Sequence, residues 1–173
     1  FENQCRNILR ANNISPQGKD YMSKDFVKLN ALAHLTEYEI MFKPFANLRP
    51  FKPFDNWNEE RPTQSLVWYD KYNRVKHNRT NDFAAASLET ALNAIAANII
   101  LYSVQFGPYL LSNFSSVLSS YFNQYIRLSL VNPDITTFYI PKLEFNDNIK
   151  KDYFVCDAFR ERFIKSWTVI SCE

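Results

Sequence analysis

The stretch FAAASLETALNAIAANIILYSVQF, residues 83–106, is the strongest helix signal in the sequence and decides the expected fold class. Alanine, the best helix former, fills its first turns, and large apolar residues recur along it at helical spacing. The stripe that we expect to face the core consists of Leu88, Leu92, Ile95, Ile99 and Tyr102. Asp82 is placed to cap the helix, and Gly107-Pro108 ends it. The sequence therefore predicts a long helix over 82–106.

Three earlier segments also carry apolar residues on one helical face, and together with 82–106 they predict a helical bundle. These segments are residues 1–11, 23–43 and 64–78. Four prolines break the pattern over 44–63, but the Phe and Trp residues between them indicate a loop packed on apolar surface, with room for one short strand. Residues 109–123 are interpreted as another helix, or as a broken continuation of the long one.

The sequence changes character after residue 123. The stretch YIRLSLVNPDITTFYI, residues 125–140, is typical of two strands joined by an Asn-Pro-Asp turn. A third short strand is predicted at DYFVC, 152–156, and a short amphipathic helix at 157–167. We therefore predict a mainly α protein, with a helical bundle over 1–123 and a small mixed extension containing short β-strands, residues 124–173, packed on the same domain.

The composition limits the kinds of site that the chain can hold. The net charge of the 173 residues is only +2, so nucleic-acid binding would depend on local clusters of cations. The sequence has two glycines and no Gly-rich phosphate loop. Its cysteines, Cys5, Cys156 and Cys172, are odd in number and far apart, which argues against a disulfide framework and a zinc site. We therefore expect no metal and no cofactor.

The same features bear on the compartment. Unpaired cysteines are typical of the reducing cytoplasm, where we expect the protein to act. The longest apolar run, around residues 99–104, is too short to span a bilayer, so we expect no association with a membrane. 

The segment WYDKYNRVKHNR, residues 68–79, carries the residues that point to chemistry. Asn73 and His77 are four apart and therefore share one face of a helix, and Tyr69 continues the same line. An imidazole can transfer protons near neutral pH, while amides and cations can hold a phosphate and its transition-state charge. The cations of this segment are Lys71, Arg74, Lys76 and Arg79.

A plainer interpretation of the same residues stays open. Cations near the end of a helix are favoured by the helix dipole, and a histidine there is often a cap or a solvated surface residue. The second histidine, His34, falls in the middle of the predicted helix 23–43 and is interpreted as a partly buried structural residue.

The motif helix followed by the long apolar helix resembles bacterial proteins of the HEPN superfamily. The signature of that family is an arginine, usually followed by a polar residue, with a histidine four to six residues after the arginine. Asn73 and His77 match the polar residue and the histidine. Tyr72 stands where the arginine falls in the commonest spacing, and Lys71 stands at the longer spacing.

The resemblance implies a four- or five-helix bundle in which two signatures meet across a homodimer and cleave RNA without a metal. His77 would then transfer protons and Asn73 would orient the RNA, which Tyr69 and the cations listed above would bind. Such proteins belong to toxin and defence systems, so an antitoxin or other protein partner is implied as well. Two alternatives remain: a non-catalytic module of the same fold for dimerisation or partner binding, and a small-ligand or nucleotide binder with the aromatic loop as a lid.

Assembly in solution tests the dimer that the resemblance implies. Sedimentation equilibrium at tens of micromolar protein, roughly the range in which modest interfaces associate, should give the mass of a homodimer. A chain that remains monomeric over the whole range would contradict this expectation.

Overall fold

The computed structural model describes residues 1–78, 80, 82–106 and 117–131, and the fold of this part of the chain is mainly α-helical with a small antiparallel sheet. Its helices are α1 (Glu2–Ala11), α2 (Ser23–Phe26), α3 (Lys28–Leu32), α4 (Val67–His77), α5 (Leu88–Phe106) and α6 (Val117–Tyr125). Its strands are β1 (Tyr38–Phe42) and β2 (Ile126–Leu130). Short 3-10 turns occupy Leu35–Glu37, Lys43–Phe45 and Phe83–Ala85.

Helix α5 lies at the centre of the packing and contacts α1, α4 and β1. Its inward face consists of Leu92, Ala96, Ala97, Ile100, Leu101 and Val104, all buried. The two alanines have small side chains, so the elements around α5 can approach its backbone closely. Among the described residues, no helix combines the length and the apolar character that a membrane span needs.

The predicted helix over 82–106 is confirmed in its body, but its first turn differs from the prediction. The helix begins at Leu88, and a 3-10 turn occupies Phe83–Ala85. The Ser87 hydroxyl accepts a hydrogen bond from the Thr90 N–H at 3.2 Å, which makes Ser87 the capping residue. Asp82 does not cap α5, because its carboxylate instead accepts a hydrogen bond from Arg74.

The stripe predicted to face the core is wrong for part of its length. Leu92 is buried, but Leu88 is 63% exposed and Ile95 is 48% exposed. Ile99 and Tyr102 are half-buried. When a helix is apolar on every side, the spacing of its apolar residues does not identify the face that is buried. In this structure the buried face is the one that contains the small alanines.

The long helix predicted over 23–43 is also wrong. The chain forms the short helices α2 and α3, and then His34 adopts a left-handed conformation with φ of 49° and ends the helical path. Beyond it, Tyr38, Ile40 and Phe42 are buried on alternate positions of strand β1. His34 is half-buried and its Nδ1 lies 2.7 Å from a Glu37 carboxylate oxygen, so its structural role is supported, although not at the predicted mid-helix position.

Strand β1 owes its conformation to partners that are distant in the sequence. It pairs antiparallel with β2, with Tyr38 opposite Leu130 and Phe42 opposite Ile126. At its other edge, Ile40 exchanges two backbone hydrogen bonds with Phe51, of 2.9 and 2.7 Å. The short strand expected within 44–63 is therefore a single bridge. The predicted partner of β2 in a hairpin, and the other elements predicted beyond residue 131, lie outside the described residues.

The proline-rich loop packs on the core through part of its length, as its aromatic residues predicted, whereas Phe45 is 41% exposed. Phe54 and Trp57 are buried, and the two rings lie 5.5 Å apart. The indole N–H of Trp57 donates to the Pro62 carbonyl at 2.7 Å, and that of Trp68 donates to the Pro53 carbonyl at 2.8 Å. These bonds attach the loop to itself and to α4, while the rings supply the apolar burial that holds it down.

A buried carboxylate fixes the connection between α1 and α2. Asp25 is fully buried, and its oxygens accept hydrogen bonds of 3.0 Å each from the N–H groups of Gln17 and Met22. The Lys28 ammonium lies 3.6 Å away. Burial alone would raise the pKa of Asp25, but the two N–H donors and Lys28 outweigh it and hold the pKa below its ordinary value.

Replacing this carboxylate by an amide tests its role. Asp25→Asn puts a donor where a backbone donor needs an acceptor, so we expect a loss of about 1–3 kcal/mol in unfolding free energy at neutral pH. Because the pKa of Asp25 is lowered by folding, its stabilisation is present above the unfolded value of about 3.9 and is lost as pH falls below it. In urea titrations, the difference in unfolding free energy between the wild type and Asp25→Asn should therefore become smaller at acidic pH.

The matched control is Asp20→Asn, because Asp20 is an exposed carboxylate five positions away. It should leave the unfolding midpoint nearly unchanged at every pH. Equal losses from the two substitutions would contradict a special role for Asp25.

Candidate functional site

Two of the predicted site residues of α4, Tyr69 and Lys76, line a cleft that opens between α1, α4 and α5. The cleft has a volume of about 350 Å³. Helix α4 contributes Tyr69, Tyr72 and Lys76 to its lining, while Asn3 comes from α1 and Asn98 from α5. Aromatic rings, two amides, the Glu2 carboxylate and the Lys76 ammonium group therefore surround a space large enough for a small planar ligand.

Tyr69 forms an inner wall of the cleft. Its side chain is only 7% exposed, and its hydroxyl donates to the Glu2 carboxylate at 3.0 Å. Burial raises the pKa of Tyr69 well above its ordinary value, the nearby Glu2 carboxylate raises it further, and a hydrogen bond with Asn73 acts in the opposite direction. Tyr69 is therefore a protonated structural donor, and the exposed aromatic ring at this cleft belongs to its neighbour instead.

That neighbour is Tyr72, at the mouth of the cleft. Its side chain is 46% exposed, and its ring stacks on that of Tyr69 with an interplanar angle of 19° and centroids 6.3 Å apart. The Lys76 ammonium lies 5.8 Å from the centre of the Tyr72 ring, within the range of a cation–π contact. An aromatic face and a positive charge are thus held together on the surface.

Asn73 and His77 share one face of α4, as their spacing predicted, because the helix includes both residues. Asn73 is half-buried beside Tyr69, whereas His77 is the last residue of the helix and is exposed. The imidazole therefore stands on the surface next to Lys76 but outside the lining of the cleft, at the end of the helix where a positive charge is favoured.

The cations of the segment do not gather at one point. Arg74 donates to Asp82 at 2.7 Å, and this hydrogen bond with its ion pair raises the pKa of the guanidinium group. Lys71 lines a different cavity. Arg79 lies outside the described residues. Of the predicted cations in the described ranges, Lys76 alone is at the cleft.

Two lining residues that the sequence did not single out come from other elements. Asn98 interrupts an otherwise apolar stretch of α5, and its amide N–H donates to the Ala94 carbonyl at 2.7 Å. Asn3 stands on the first turn of α1. A polar residue inside an apolar helix is a signal that could have pointed to Asn98, whereas nothing in the sequence around Asn3 distinguishes it.

Possible metal ligands are scattered over the described ranges. No three His, Cys, Asp or Glu side chains converge there in a group that could hold an ion. Cys5 is buried in the core, and burial raises the pKa of its thiol far above the ordinary value, so it packs as a small apolar side chain. Cys156 and Cys172 lie outside the described residues.

No protein-family model matches the sequence, and no match was found among curated proteins or solved structures. The side chains of α4 and of the cleft are therefore what can support a function for this chain.

The two stacked tyrosines allow a matched test of the cleft geometry. Tyr69→Phe removes a partly buried hydrogen bond to a carboxylate, and we expect a loss of about 1–3 kcal/mol in unfolding free energy. Tyr72→Phe changes only a hydroxyl on an exposed ring and should leave the stability unchanged. Chemical denaturation of both variants measures the difference, and equal stabilities would contradict the structural role of the Tyr69 hydroxyl.

Proposed function

We propose that this chain is an RNA-binding helical domain of the HEPN-like class, and that it contacts RNA through Tyr72, Lys76 and His77. The observation that carries the proposal is the exposed Tyr72 ring with the Lys76 ammonium beside it at the mouth of the cleft. Proteins that bind single-stranded nucleic acid combine these two features, an aromatic platform and a nearby cation.

The ring of Tyr72 suits a stacked base for a geometric reason. Its contact with Tyr69, whose hydroxyl is bound to Glu2, restrains the ring in one orientation. A base that stacks on it therefore meets a preorganised surface and causes little loss of side-chain entropy. The amides of Asn3 and Asn98 in the lining offer donors and acceptors to the edge of such a base.

Phosphate groups would meet Lys76 and His77 on the last turn of α4. The C-terminal end of a helix carries partial negative charge and does not attract anions. Phosphate binding there depends on the side-chain cations, and Lys76 is the one that also touches the stacking ring. Its removal should therefore weaken binding more than removal of a cation elsewhere on the surface.

The resemblance to the HEPN superfamily and the geometry of α4 together favour binding over cleavage. Tyr72 replaces the signature arginine with a stacking ring, and the guanidinium group of Arg74, the arginine of α4, is engaged by Asp82. Lys71, the other residue near the signature spacing, lines a different cavity from Tyr72 and Lys76. The arginine next to Asn73 is therefore already paired with a carboxylate, and no unpaired arginine of α4 is left to serve Asn73 and His77.

Metal-independent RNA cleavage is a second candidate function, because Asn73 and His77 share one face and His77 is exposed to a substrate. In this reaction His77 would take the proton of the 2′-hydroxyl as it attacks the phosphorus, and a protonated imidazole would return a proton to the leaving oxygen. The homodimer implied by the resemblance would bring a second copy of α4 to the same site, in a cytoplasmic toxin or defence protein with a protein partner.

Binding of a single-stranded RNA oligonucleotide to point variants tests the proposal. Tyr72→Ala removes the stacking ring and should reduce the affinity by about 1–3 kcal/mol, whereas Phe83→Ala, which removes another exposed ring, should have no effect. Lys76→Ala should weaken binding and flatten its salt dependence, and Lys19→Ala is the matched control. Absence of salt-dependent binding, or equal effects of target and control, would contradict RNA binding here.

The same oligonucleotide incubated with EDTA separates the two candidate functions. If the chain only binds, the RNA stays intact with wild type and with His77→Ala. If His77 transfers protons, cleavage proceeds in EDTA and is abolished by His77→Ala, while the thermal midpoint stays nearly unchanged because the residue is exposed. A lower midpoint for His77→Ala without any RNA effect would identify a structural cap.

A further inference from the structure

A second concave surface lies between the 48–55 loop, the first turns of α4 and the first turns of α5. It consists of two adjoining cavities of about 550 and 280 Å³. Lys52, Glu89 and Asn93 line both cavities, so the two form one continuous groove. We call this surface the basic groove.

Large aliphatic side chains are exposed along the basic groove. Leu88 is 63% exposed, Val67 is 59% exposed, and Leu48 is also open to solvent. Leu48 and Leu88 lie in the larger cavity and Val67 in the smaller one. Single exposed apolar residues are common on protein surfaces, but a set that lines one groove is typical of a place where another chain docks.

Cations without a partner lie among these aliphatic residues. Arg49, Lys52 and Lys71 line the groove, and within the described residues none of them forms an ion pair with a carboxylate. Glu89 and Asp55 are the acidic residues of the lining, so cations are in excess. This contrasts with Arg74, the cation of α4 that Asp82 neutralises.

We propose that the basic groove binds an acidic, apolar peptide segment of a partner protein. Leucine-like side chains of the peptide would cover Leu48 and Leu88 in the larger cavity and Val67 in the smaller one. Its carboxylates would pair with Arg49, Lys52 and Lys71, which have no competing partner. This combination is the usual one for peptide recognition, in which apolar anchors give affinity and charges give specificity.

The chemistry of the lining favours a peptide over RNA. Bases stack on aromatic rings, and the exposed apolar groups of the basic groove are aliphatic. The groove also lies apart from Tyr72 and Lys76, so this inference does not depend on the function proposed for the cleft.

Selection from a phage-displayed library of short random peptides against the full chain tests the inference. The enriched peptides should combine Asp or Glu with Leu, Ile or Phe, because both features are needed to fill the groove. Enrichment of basic peptides, of uncharged peptides, or of none would overturn the proposal.

Fluorescence anisotropy of the most enriched synthetic peptide then locates its site. Lys52→Glu should weaken binding about tenfold or more, since it turns attraction into repulsion at the point that the two cavities share. Leu88→Ser should also weaken it. Both residues are exposed, so the thermal midpoints of the two variants should stay close to that of the wild type. Lys19→Glu makes the same charge change at an exposed position outside the groove and should bind as wild type does.

A single-stranded RNA oligonucleotide serves as the competitor in this assay. It should leave the peptide in place, and its own affinity should be unaffected by Leu88→Ser. Displacement of the peptide by RNA, or equal losses of peptide affinity from Lys19→Glu and Lys52→Glu, would show that the groove is not a specific peptide site.

Discussion

The packing of three elements around the inward face of α5 is the constraint on which the rest of the structure depends. Burial of its leucine, isoleucine and valine side chains supplies the hydrophobic stabilisation, and Ala96 and Ala97 allow close approach. Helices α1 and α4 and strand β1 each cover part of this face. Because α1 and α4 both rest on α5, the cleft between the three helices is a direct product of the core.

Helix α4 links that core to the surface on which function is proposed. Its first turn is anchored by Trp68 and Tyr69, which are buried, and its last turn carries Lys76 and His77 into solvent. Tyr72 lies between the two regions and its ring is stacked on that of Tyr69. The buried Tyr69 ring therefore restrains the exposed Tyr72 ring. This order along one helix explains how a surface platform can be held in place without burying it.

The sequence predicted α4 and the body of α5 because their helical character is local. It did not predict β1, because this strand forms by pairing Tyr38 with Leu130, which is distant in the sequence. The spacing of apolar residues over 23–43 was also compatible with a helix. At the site, spacing correctly put Asn73 and His77 on one face. The spacing could not predict that Arg74 would pair with Asp82, or which residues of α1 and α5 would line the cleft, because both depend on tertiary packing.

The central claim is that RNA meets this protein at the mouth of the cleft, and NMR of the isotope-labelled chain tests it most directly. On titration with a short single-stranded oligouridylate, the signals that shift should be those of Tyr72, Lys76 and His77, together with the Asn98 side-chain amide. Shifts that centre instead on Arg49 and Lys52, or spectra that do not change at saturating RNA, would contradict the account.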